Sequence, residues 1–300
     1  MLSCTPAARA ADIAVLISSD SVRPDGILKG LSSELTPEHV LRQYPLAGDE
    51  AQMRAGAEKA LASTPAVVVT VGGQATLLAR DHIRDYPVVY TLAVDNPALQ
   101  FHTANMTGVN ADIPAAKRLS LLRELYPGLK RIGVVYNPSN SAFLVNESRQ
   151  AANALGLEVV AAKVDVKQDV PRAVGGLRGQ VDLLWMVQDP LLLDPDGLRE
   201  ILKFSLVESV PLLTFSTSIV QAGAFFAITP SEQSMGRQAG RIARQILSGR
   251  RPGQIDAQYP DDYELALNLR TAKRINRLED LAINVLIYAA QHKQAIEVFR

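Results

Sequence analysis

Cysteine is nearly absent from this 300-residue sequence, which contains only Cys4. A single thiol excludes an intramolecular disulfide framework and a metal site built from several cysteines. Histidine is also scarce. None of the four histidines falls at the end of a predicted strand, and none has a partner at the i, i+4 spacing of a helical metal site. The sequence therefore predicts no metal site.

Net charge and long hydrophobic runs are lacking as well. The 31 basic and 31 acidic residues cancel, and no basic stretch is long enough to follow a phosphate backbone, so nucleic acid is not an expected partner. No apolar stretch approaches the roughly 18 to 20 residues that span a bilayer, so direct membrane insertion is not expected either. The 47% hydrophobic content is typical of a globular protein with a substantial core.

Signatures of catalysis and of nucleotide cofactors are missing. The stretch VGGQA has two glycines before a predicted helix, but it lacks the spacing of dinucleotide- and phosphate-binding loops and offers no lysine. No GxSxG elbow occurs, and no histidine is close in sequence to the serines that follow the predicted strands. We therefore expect neither an enzyme nor a cofactor, and we interpret VGGQA as a helix N-terminus able to bind a carboxylate.

The first ten residues match a secretion signal only in part. Ala8-Arg9-Ala10 has the small-x-small pattern that signal peptidase reads, but the basic and apolar regions that should precede it are missing. Residues 1–10 are expected to be either the remnant of a signal peptide or a flexible N-terminus. Cys4 suggests a lipid anchor, although Leu2-Ser3 before it match that signal poorly.

Short apolar runs that alternate with amphipathic stretches are abundant, and this pattern is typical of parallel α/β units. Three predicted strands of the first half match three of the second half in order: Ile13–Ser18 with Ile132–Tyr136, Ala66–Val71 with Asp182–Val187, and Val88–Val94 with Pro211–Phe215. Either the chain is a pseudo-repeat of two similar lobes, or the match reflects the self-similarity of any α/β chain. The ordered match favours two lobes.

The ends of these strands carry mostly small polar side chains. Ligands of open parallel sheets bind beyond the carboxyl ends of the strands, so the candidate site residues lie there. They are Ser18, Ser19, Gly73, Gln74, Ala75 and Asp95 in the first half, and Ser139, Asn140, Ser141, Asp189 and Ser216 in the second. Such a set predicts a hydrogen-bonding cleft between two lobes that holds a small polar molecule.

Several of these positions have a second interpretation. Asp189 either pairs with a ligand ammonium or caps the helix that follows it. Asp95 offers the same choice, with a turn favoured by the Asn-Pro pair after it. One residue of Ser139–Ser141 is expected to cap a helix predicted at Ala142–Leu155, which leaves the other two free to face the cleft.

Longer stretches resemble one protein family in content and in order. They are ADIAVLISSD, VVVTVGGQATLLA, PVVYTLAVDNP, MTGVNADIP, LYPGLKRIGVVYNPSNS, DLLWMVQDPLLL, the segment from Val210 to Pro252, and LALNLRTAKRI. From about Asp12 to Ile275 the sequence resembles the ABC-transporter substrate-binding proteins that include tryptophan- and tyrosine-binding lipoproteins. The part after Asn276 departs from this pattern, and a terminal amphipathic helix is predicted over Leu278–Phe299.

The resemblance implies a type I periplasmic-binding-protein-like fold, an α/β architecture of two Rossmann-like lobes with parallel sheets joined by a hinge. The first lobe would comprise residues 11–112 plus about 222–253, and the second residues 113–221 plus about 254–300. The matching site positions are the strand-end residues named above. The resemblance assigns Asp189 to the amino group of a ligand, and the Gly73–Ala75 amides with Ser141 to its carboxylate.

The resemblance also implies a function, that of an extracytoplasmic solute-binding protein of an ABC transporter. The implied ligand is an amino acid, aromatic or branched, or a similar small polar molecule, and the implied partner is a membrane permease. The expected location is periplasmic or otherwise extracytoplasmic, reached through a signal peptide, with or without a membrane anchor. The alternative is a ligand-sensing module whose closure is read by a signalling partner.

Overall fold

The computed structural model describes residues 10–19, 24–94 and 99–300, which fold into two compact α/β units. The first unit comprises the described residues up to Asp112 together with Pro230–Asp262. The second unit comprises Ile113–Thr229 and Tyr263–Arg300. The chain therefore passes between the units three times.

The first unit is built on a five-stranded sheet with the order β2-β1-β3-β4-β5, in which each neighbouring pair is parallel. Its strands are β1 (Asp12–Ser18), β2 (Val40–Leu46), β3 (Val67–Val71), β4 (Val88–Ala93) and β5 (Met106–Asn110). Its helices are α1 (Asp25–Leu35), α2 (Glu50–Leu61), α3 (Gly73–His82) and, from a later part of the chain, α10 (Glu232–Leu247), with a 3-10 turn at Pro252–Gln254.

Both faces of this sheet are covered by helices. Ile13 and Val15 of β1 pack with apolar residues of α1 and α10, whereas Ala14 and Leu16 pack with those of α2 and α3. Successive side chains of a strand point to opposite faces, so both halves of the alternation must be apolar. The two-sided cover explains the continuous apolar runs of β1 and β3.

α1 and α10 approach each other closely at two glycines. A Cβ on Gly236 would overlap the carbonyl group of Ile27, and a Cβ on Gly30 would overlap the backbone of Gln233. Glycine is therefore required at this crossing. The close contact holds α10, which comes from a distant part of the chain, against the first unit.

The second unit is built on a seven-stranded sheet with the order β12-β11-β10-β9-β8-β6-β7. Its strands are β6 (Arg131–Tyr136), β7 (Glu158–Lys163), β8 (Leu183–Met186), β9 (Leu212–Thr214), β10 (Phe226–Pro230), β11 (Tyr263–Asn268) and β12 (Ile296–Phe299). Its helices are α4 (Ala115–Leu125), α5 (Pro138–Ala154), α6 (Val170–Gly175), α7 (Pro190–Leu193), α8 (Pro195–Val207), α9 (Thr217–Ala222), α11 (Leu269–Arg274) and α12 (Ile283–Gln291), with a 3-10 turn at Lys167–Asp169 and a π-helical turn at Leu278–Ala282. Among all described helices of the protein, none has the length and apolar character needed to cross a membrane.

The strands of this second sheet run in two directions. β6 to β10 are parallel to one another. β11 is antiparallel to β10, because the amide of Asn268 donates to the carbonyl of Phe225 at 2.9 Å while the amide of Ser231 donates to that of Asp262 at 3.0 Å. β12 then pairs in parallel with β11. The protein thus has the expected mixed α/β class, with two sheets of mostly parallel strands.

The passages between the units differ from the positions expected from the sequence, about 222 and about 254. β10 stays in the second unit because it pairs with β9, with Phe226 opposite Leu213. The chain after residue 254 stays in the first unit because the Thr107 hydroxyl donates to the carbonyl of Ile255 at 2.7 Å. The later passages therefore lie at 229/230 and 262/263.

Two helix predictions were wrong in extent. The C-terminal stretch is not one helix over Leu278–Phe299, because the helical part ends at Gln291 and β12 follows. Lys293 has φ +52°, a left-handed conformation that does not continue a helix, and the last residues pair with β11 instead. α5 begins at Pro138 rather than Ala142, for a reason found at the candidate site.

Candidate functional site

The turn between β3 and α3 shapes the carboxyl edge of the first sheet. Gly72 has φ +96°, a conformation open to glycine and unfavourable for residues with a side chain. The next residue, Gly73, is the first of α3. α3 therefore begins directly after the turn that follows β3.

Ser18, the last residue of β1, caps α3 from the neighbouring strand. Its hydroxyl oxygen accepts a hydrogen bond from the amide of Ala75 at 2.7 Å, and both residues are buried. The fourth amide of the helix donates to the carbonyl of Gly72 at 3.2 Å. In the described part of the chain, the amides of Gly73 and Gln74 donate to no group. Two donors at the positive end of the helix dipole thus remain for an anion.

The other predicted residues of this edge are exposed to different degrees. Ser19 and Gln74 are exposed, and the Ser19 hydroxyl lies 3.4 Å from the Gln74 side-chain oxygen. Gly73 is half-buried. Asp95 lies outside the described residues. Among the predicted site residues that the structure describes at this edge, the accessible polar groups are therefore those of Ser19, Gly73 and Gln74.

Strand β4 ends irregularly at the same edge. Leu92 has φ +54°, and the register between β4 and β5 shifts between Tyr90 and Ala93. A leucine in the left-handed region is strained, and backbone strain of this kind clusters at functional sites. The irregularity supports a functional role for the carboxyl edge of the first sheet.

In the second unit, Asn137 forms the start of α5 at the end of β6. Its side-chain oxygen accepts a hydrogen bond from the amide of Ser139 at 2.9 Å, and its side-chain nitrogen donates to the carbonyl of Val164 at 3.0 Å. Pro138 takes the first helical position, where the missing N–H removes no hydrogen bond. The cap is therefore Asn137 and none of Ser139–Ser141, which explains why α5 begins early.

Asp189 joins this helix start to the end of β8. Its carboxylate is fully buried and accepts hydrogen bonds from the amide of Asn137 at 2.9 Å, the hydroxyl of Ser141 at 2.9 Å and the amide of Leu191 at 3.1 Å. The side-chain nitrogen of Asn140 lies at the limiting distance of 3.5 Å. The bond to Leu191 is the cap of α7, which is the second interpretation of Asp189.

Four of the predicted site residues, Ser18, Ala75, Ser141 and Asp189, thus make hydrogen bonds within their own unit. Ala75 donates its amide to Ser18, and Ser141 donates its hydroxyl to Asp189. The first arrangement arises because the amides in the first turn of a helix need acceptors. Contact between Asp189 and a ligand ammonium stays a prediction, and it requires the carboxylate to exchange one of its internal hydrogen bonds.

In the second unit, the predicted site residues that are accessible to solvent lie at two helix starts. Ser139 and Asn140 are exposed on the first turn of α5. Ser216, before α9, is half-buried, and its hydroxyl lies 2.8 Å from that of the exposed Ser218. The structure therefore brings Asn140, Ser141 and Asp189 into one network and leaves Ser216 in a separate pair.

Sequence reasoning left two residues of these edges out of the predicted site. The signal for Asn137 was present, because an asparagine followed by proline is the pattern of a cap with proline at the first helical position. Ser218 has no comparable signal. Its place depends on the path of α9, which brings its hydroxyl beside that of Ser216.

Comparison with known proteins identifies the family. Residues 11–293 match the family described as ABC transporter substrate binding protein. The chain belongs to this family. Its members are solute-binding proteins rather than enzymes, and they are extracytoplasmic.

Several relatives of this substrate-binding protein are known. The tyrosine-binding protein of Clostridioides difficile (strain R20291) is 25% identical over 238 residues, which cover 76% of this chain and 68% of the relative. The open, ligand-free structure of a substrate-binding protein with adhesive properties from Clostridium difficile matches with a TM-score of 0.78 and 19% identity, covering 97% of this chain and 100% of the other. A domain from Streptococcus pneumonia in complex with L-Trp matches with a TM-score of 0.67 and 21% identity, at the same coverage of both chains. The two structures establish the type I periplasmic-binding-protein fold for this substrate-binding protein.

Proposed function

We propose that this protein is the extracytoplasmic solute-binding component of an ABC transporter, and that it binds an amino acid with an aromatic or branched side chain. Membership of the family supports the transport role, for which a membrane permease is the proposed partner. A relative named for tyrosine binding and a fold neighbour holding L-Trp support the ligand class. The proposed location is the periplasm or another extracytoplasmic space, reached through a signal peptide.

The pair of uncommitted amides at Gly73 and Gln74 carries the proposal for the ligand. Two backbone donors at the start of a ten-residue helix match the two oxygens of a carboxylate. Ser18 strengthens this arrangement, because it fixes the first turn of α3 by accepting from Ala75 at 2.7 Å. The ligand carboxylate therefore meets donors that are already in place, and little conformational entropy is lost on binding.

The second unit supplies the other half of the proposed site. Ser139, Asn140 and Ser216 offer accessible hydroxyl and amide groups at the carboxyl ends of β6 and β9. We assign to them the polar contacts of the ligand that the first unit does not make. Asp189 supports them indirectly, because its buried carboxylate fixes the α5 start on which Ser139 and Asn140 lie.

In this proposal the ligand lies in a cleft between the two units and draws them together. A ligand shifts a conformational equilibrium only by the difference between its affinities for the two states. Contacts from both units provide that difference, since an open protein offers the ligand one edge at a time. The permease then recognises the closed form.

The test is a thermal-shift screen of the purified protein against the common amino acids, followed by calorimetry of each that raises the melting temperature. A ligand at 100 times its Kd adds about 2.7 kcal/mol of stability, which is well above detection. We expect an aromatic or branched amino acid to bind, and its methyl ester, which lacks the carboxylate, to bind much more weakly. If no amino acid raises the melting temperature, the proposed ligand class is wrong. If acid and ester bind equally, the proposed contact with the ligand carboxylate is wrong.

A further inference from the structure

A shallow depression on the second unit lies between α8 and α11. It has a volume of about 280 Å³ and is lined by Arg199, Leu202, Lys203, Leu206 and Val207 of α8 and by Arg274 of α11. We call this set of six residues the α8 groove. Pockets that enclose small molecules usually measure roughly 300–1,000 Å³. The α8 groove is open to solvent and lies at the small end of this range, so it is suited to receive side chains of a partner rather than to enclose a ligand.

The apolar floor of the α8 groove lies at the margin of the core, and Leu202 and Leu206 pack against the buried residues of the second unit. α8 buries Gly197, Ile201, Phe204 and Ser205, whereas Leu202 and Leu206 are half-buried and Val207 is 67% exposed. Val207 is thus a large apolar side chain held in solvent beside two others. Contact with another molecule would remove Val207 from water, which is favourable for an apolar side chain.

The rim of the α8 groove is basic. Arg199 and Lys203 lie one helical turn apart, and each makes one ion pair along α8, with Asp196 at 2.8 Å and Glu200 at 3.6 Å. Within the described residues Arg274 makes no ion pair, and no acidic side chain lines the groove. An incoming surface would therefore meet an apolar floor with one cation, Arg274, that is unpaired among the residues the structure describes, and two cations that each share a carboxylate of their own helix.

The groove lies at the end of the second sheet opposite to the candidate ligand site. The last turn of α8 comes shortly before β9 begins, so it lies at the amino edge of the parallel strands. α11 follows β11, and β11 is antiparallel to β10, so α11 starts at the same amino edge. Ser139, Asn140 and Ser216 follow the carboxyl ends of their strands. The α8 groove is consequently separate from the proposed amino acid site.

We propose that the α8 groove is the docking site for an acidic amphipathic helix of a partner protein. Apolar side chains one turn apart on that helix would lie against Leu202, Leu206 and Val207. Carboxylates flanking them would face Arg199, Lys203 and Arg274. This is the recognition of an amphipathic helix by an apolar groove, with charge complementarity that fixes its orientation. A flat anionic membrane fits less well, because the surface is concave and carries fewer cations than the four to eight of lipid-binding clusters.

The probe for this proposal is a labelled synthetic peptide of about 20 residues, long enough to be helical, with Leu and Phe one turn apart and Glu on the flanking positions. Fluorescence anisotropy with the full-length protein measures its binding. We expect saturable binding that weakens as salt rises, and no binding of a peptide with the same composition in scrambled order. Equal binding of both peptides, or no binding of either, would overturn the proposal.

Variants of the protein test whether the peptide binds in the α8 groove. Val207→Glu should weaken binding at least about tenfold, because it sets a carboxylate against those of the peptide. Val166→Glu is the matched control, since Val166 is 50% exposed in the same unit and does not line the groove. Arg274→Glu should weaken binding of the Glu peptide and improve binding of a peptide with Lys at the facing positions. An equal loss in Val207→Glu and Val166→Glu would contradict the assigned site.

Vesicles of phosphatidylglycerol and phosphatidylcholine test whether the α8 groove binds a lipid membrane instead. We expect no sedimentation of the protein with them. Sedimentation that Val207→Glu and Arg274→Glu abolish, together with no peptide binding, would assign the groove to a lipid surface and overturn the proposal. The amino acid thermal shift should be unchanged in both variants, because the groove lies at the other end of the sheet.

Discussion

The buried carboxylate of Asp189 accepts a hydrogen bond from the hydroxyl of Ser141 at 2.9 Å, and this bond joins the end of β8 to the first turn of α5. The same carboxylate accepts from the amide of Asn137 at 2.9 Å. Two loops that come from different strands are therefore fixed to each other by one side chain. Their geometry, and with it the position of Asn140 and Ser139, depends on that side chain.

Removing the Asp189 carboxylate should destabilise the second unit. Asp189→Ala leaves the Asn137 amide and the Ser141 hydroxyl buried without an acceptor, at a cost of about 1–3 kcal/mol in the free energy of unfolding. Asp189→Asn keeps the volume and one acceptor oxygen, so it should cost less. Urea denaturation measures both, and Asp196→Ala, at an exposed position, is the control with a change below about 0.5 kcal/mol.

The same pair of variants separates the two roles of Asp189. If the carboxylate also pairs with a ligand ammonium, Asp189→Asn loses affinity by far more than its small loss of stability explains. Calorimetry with the amino acid found in the screen would show this. Unchanged affinity in Asp189→Asn would leave Asp189 as a purely positioning residue.

Ser18→Ala should loosen the start of α3. The variant removes the acceptor of the buried Ala75 amide, and the loss of a helix-capping acceptor costs about 0.5–2 kcal/mol. Ser19→Ala, at the adjacent exposed position, should change the free energy of unfolding very little. Denaturation curves of the two variants give the comparison, and equal effects would show that the Ser18 contact does not stabilise the helix.

Gly73→Pro removes one proposed ligand donor with little effect on the helix. Gly73 is the first residue of α3, a position where proline is well tolerated. A hydrogen bond to a charged group is worth about 1.5–3 kcal/mol, so the affinity for the amino acid should fall by roughly 10- to 100-fold. Glu50→Pro at the first position of α2 is the matched control, and its affinity should equal that of the unmodified protein. Unchanged affinity in Gly73→Pro would rule out this amide as a ligand contact.

Gly236→Ala tests the crossing of α1 and α10. The added methyl group would stand 2.9 Å from the carbonyl carbon of Ile27 and 3.0 Å from the Cα of Gly30, closer than such atoms pack. Overpacking of this kind costs about 1–3 kcal/mol. Gly175→Ala, at an exposed helical position with no atom within 4 Å, should be neutral or gain up to about 1 kcal/mol. Thermal unfolding measures the stability of both variants. A loss in Gly236→Ala that Gly175→Ala does not show would indicate that the two helices are closely packed at the crossing, and equal stability would contradict this.

Acid should weaken the start of α8. Lys167 donates to the side chain of Asp194, the cap of this helix, at 3.2 Å and thereby lowers the pKa of Asp194. A carboxyl with a lowered pKa in the folded protein stabilises the fold above its unfolded pKa of about 3.9, and this contribution is lost as the pH falls through the folded pKa. Carbon-detected NMR titration should show that Lys167→Met moves the pKa of Asp194 upward, whereas Lys163→Met leaves it unchanged.

The candidate site could be predicted in part because its signals are local. Small polar residues after apolar strands, a double glycine before a helix and an Asn-Pro pair can all be read within a few residues. What each group does could not be read in that way. The partners of Asp189 at Asn137 and Ser141 lie 52 and 48 positions away in the chain. Only the folded structure shows that its carboxylate already accepts hydrogen bonds from these two residues.

The sequence by itself determined the α/β class, the three strands that match between the halves and the polar character of their ends, because a strand covered on both faces of a sheet is a continuous apolar run. The tertiary structure alone decided where the chain passes between the units, that the last residues form β12, and that Ser18 and Asp189 hold helix starts. These features depend on backbone and side-chain hydrogen bonds between distant residues. Such bonds form only where the fold brings donor and acceptor within about 3 Å, a distance that no local pattern encodes.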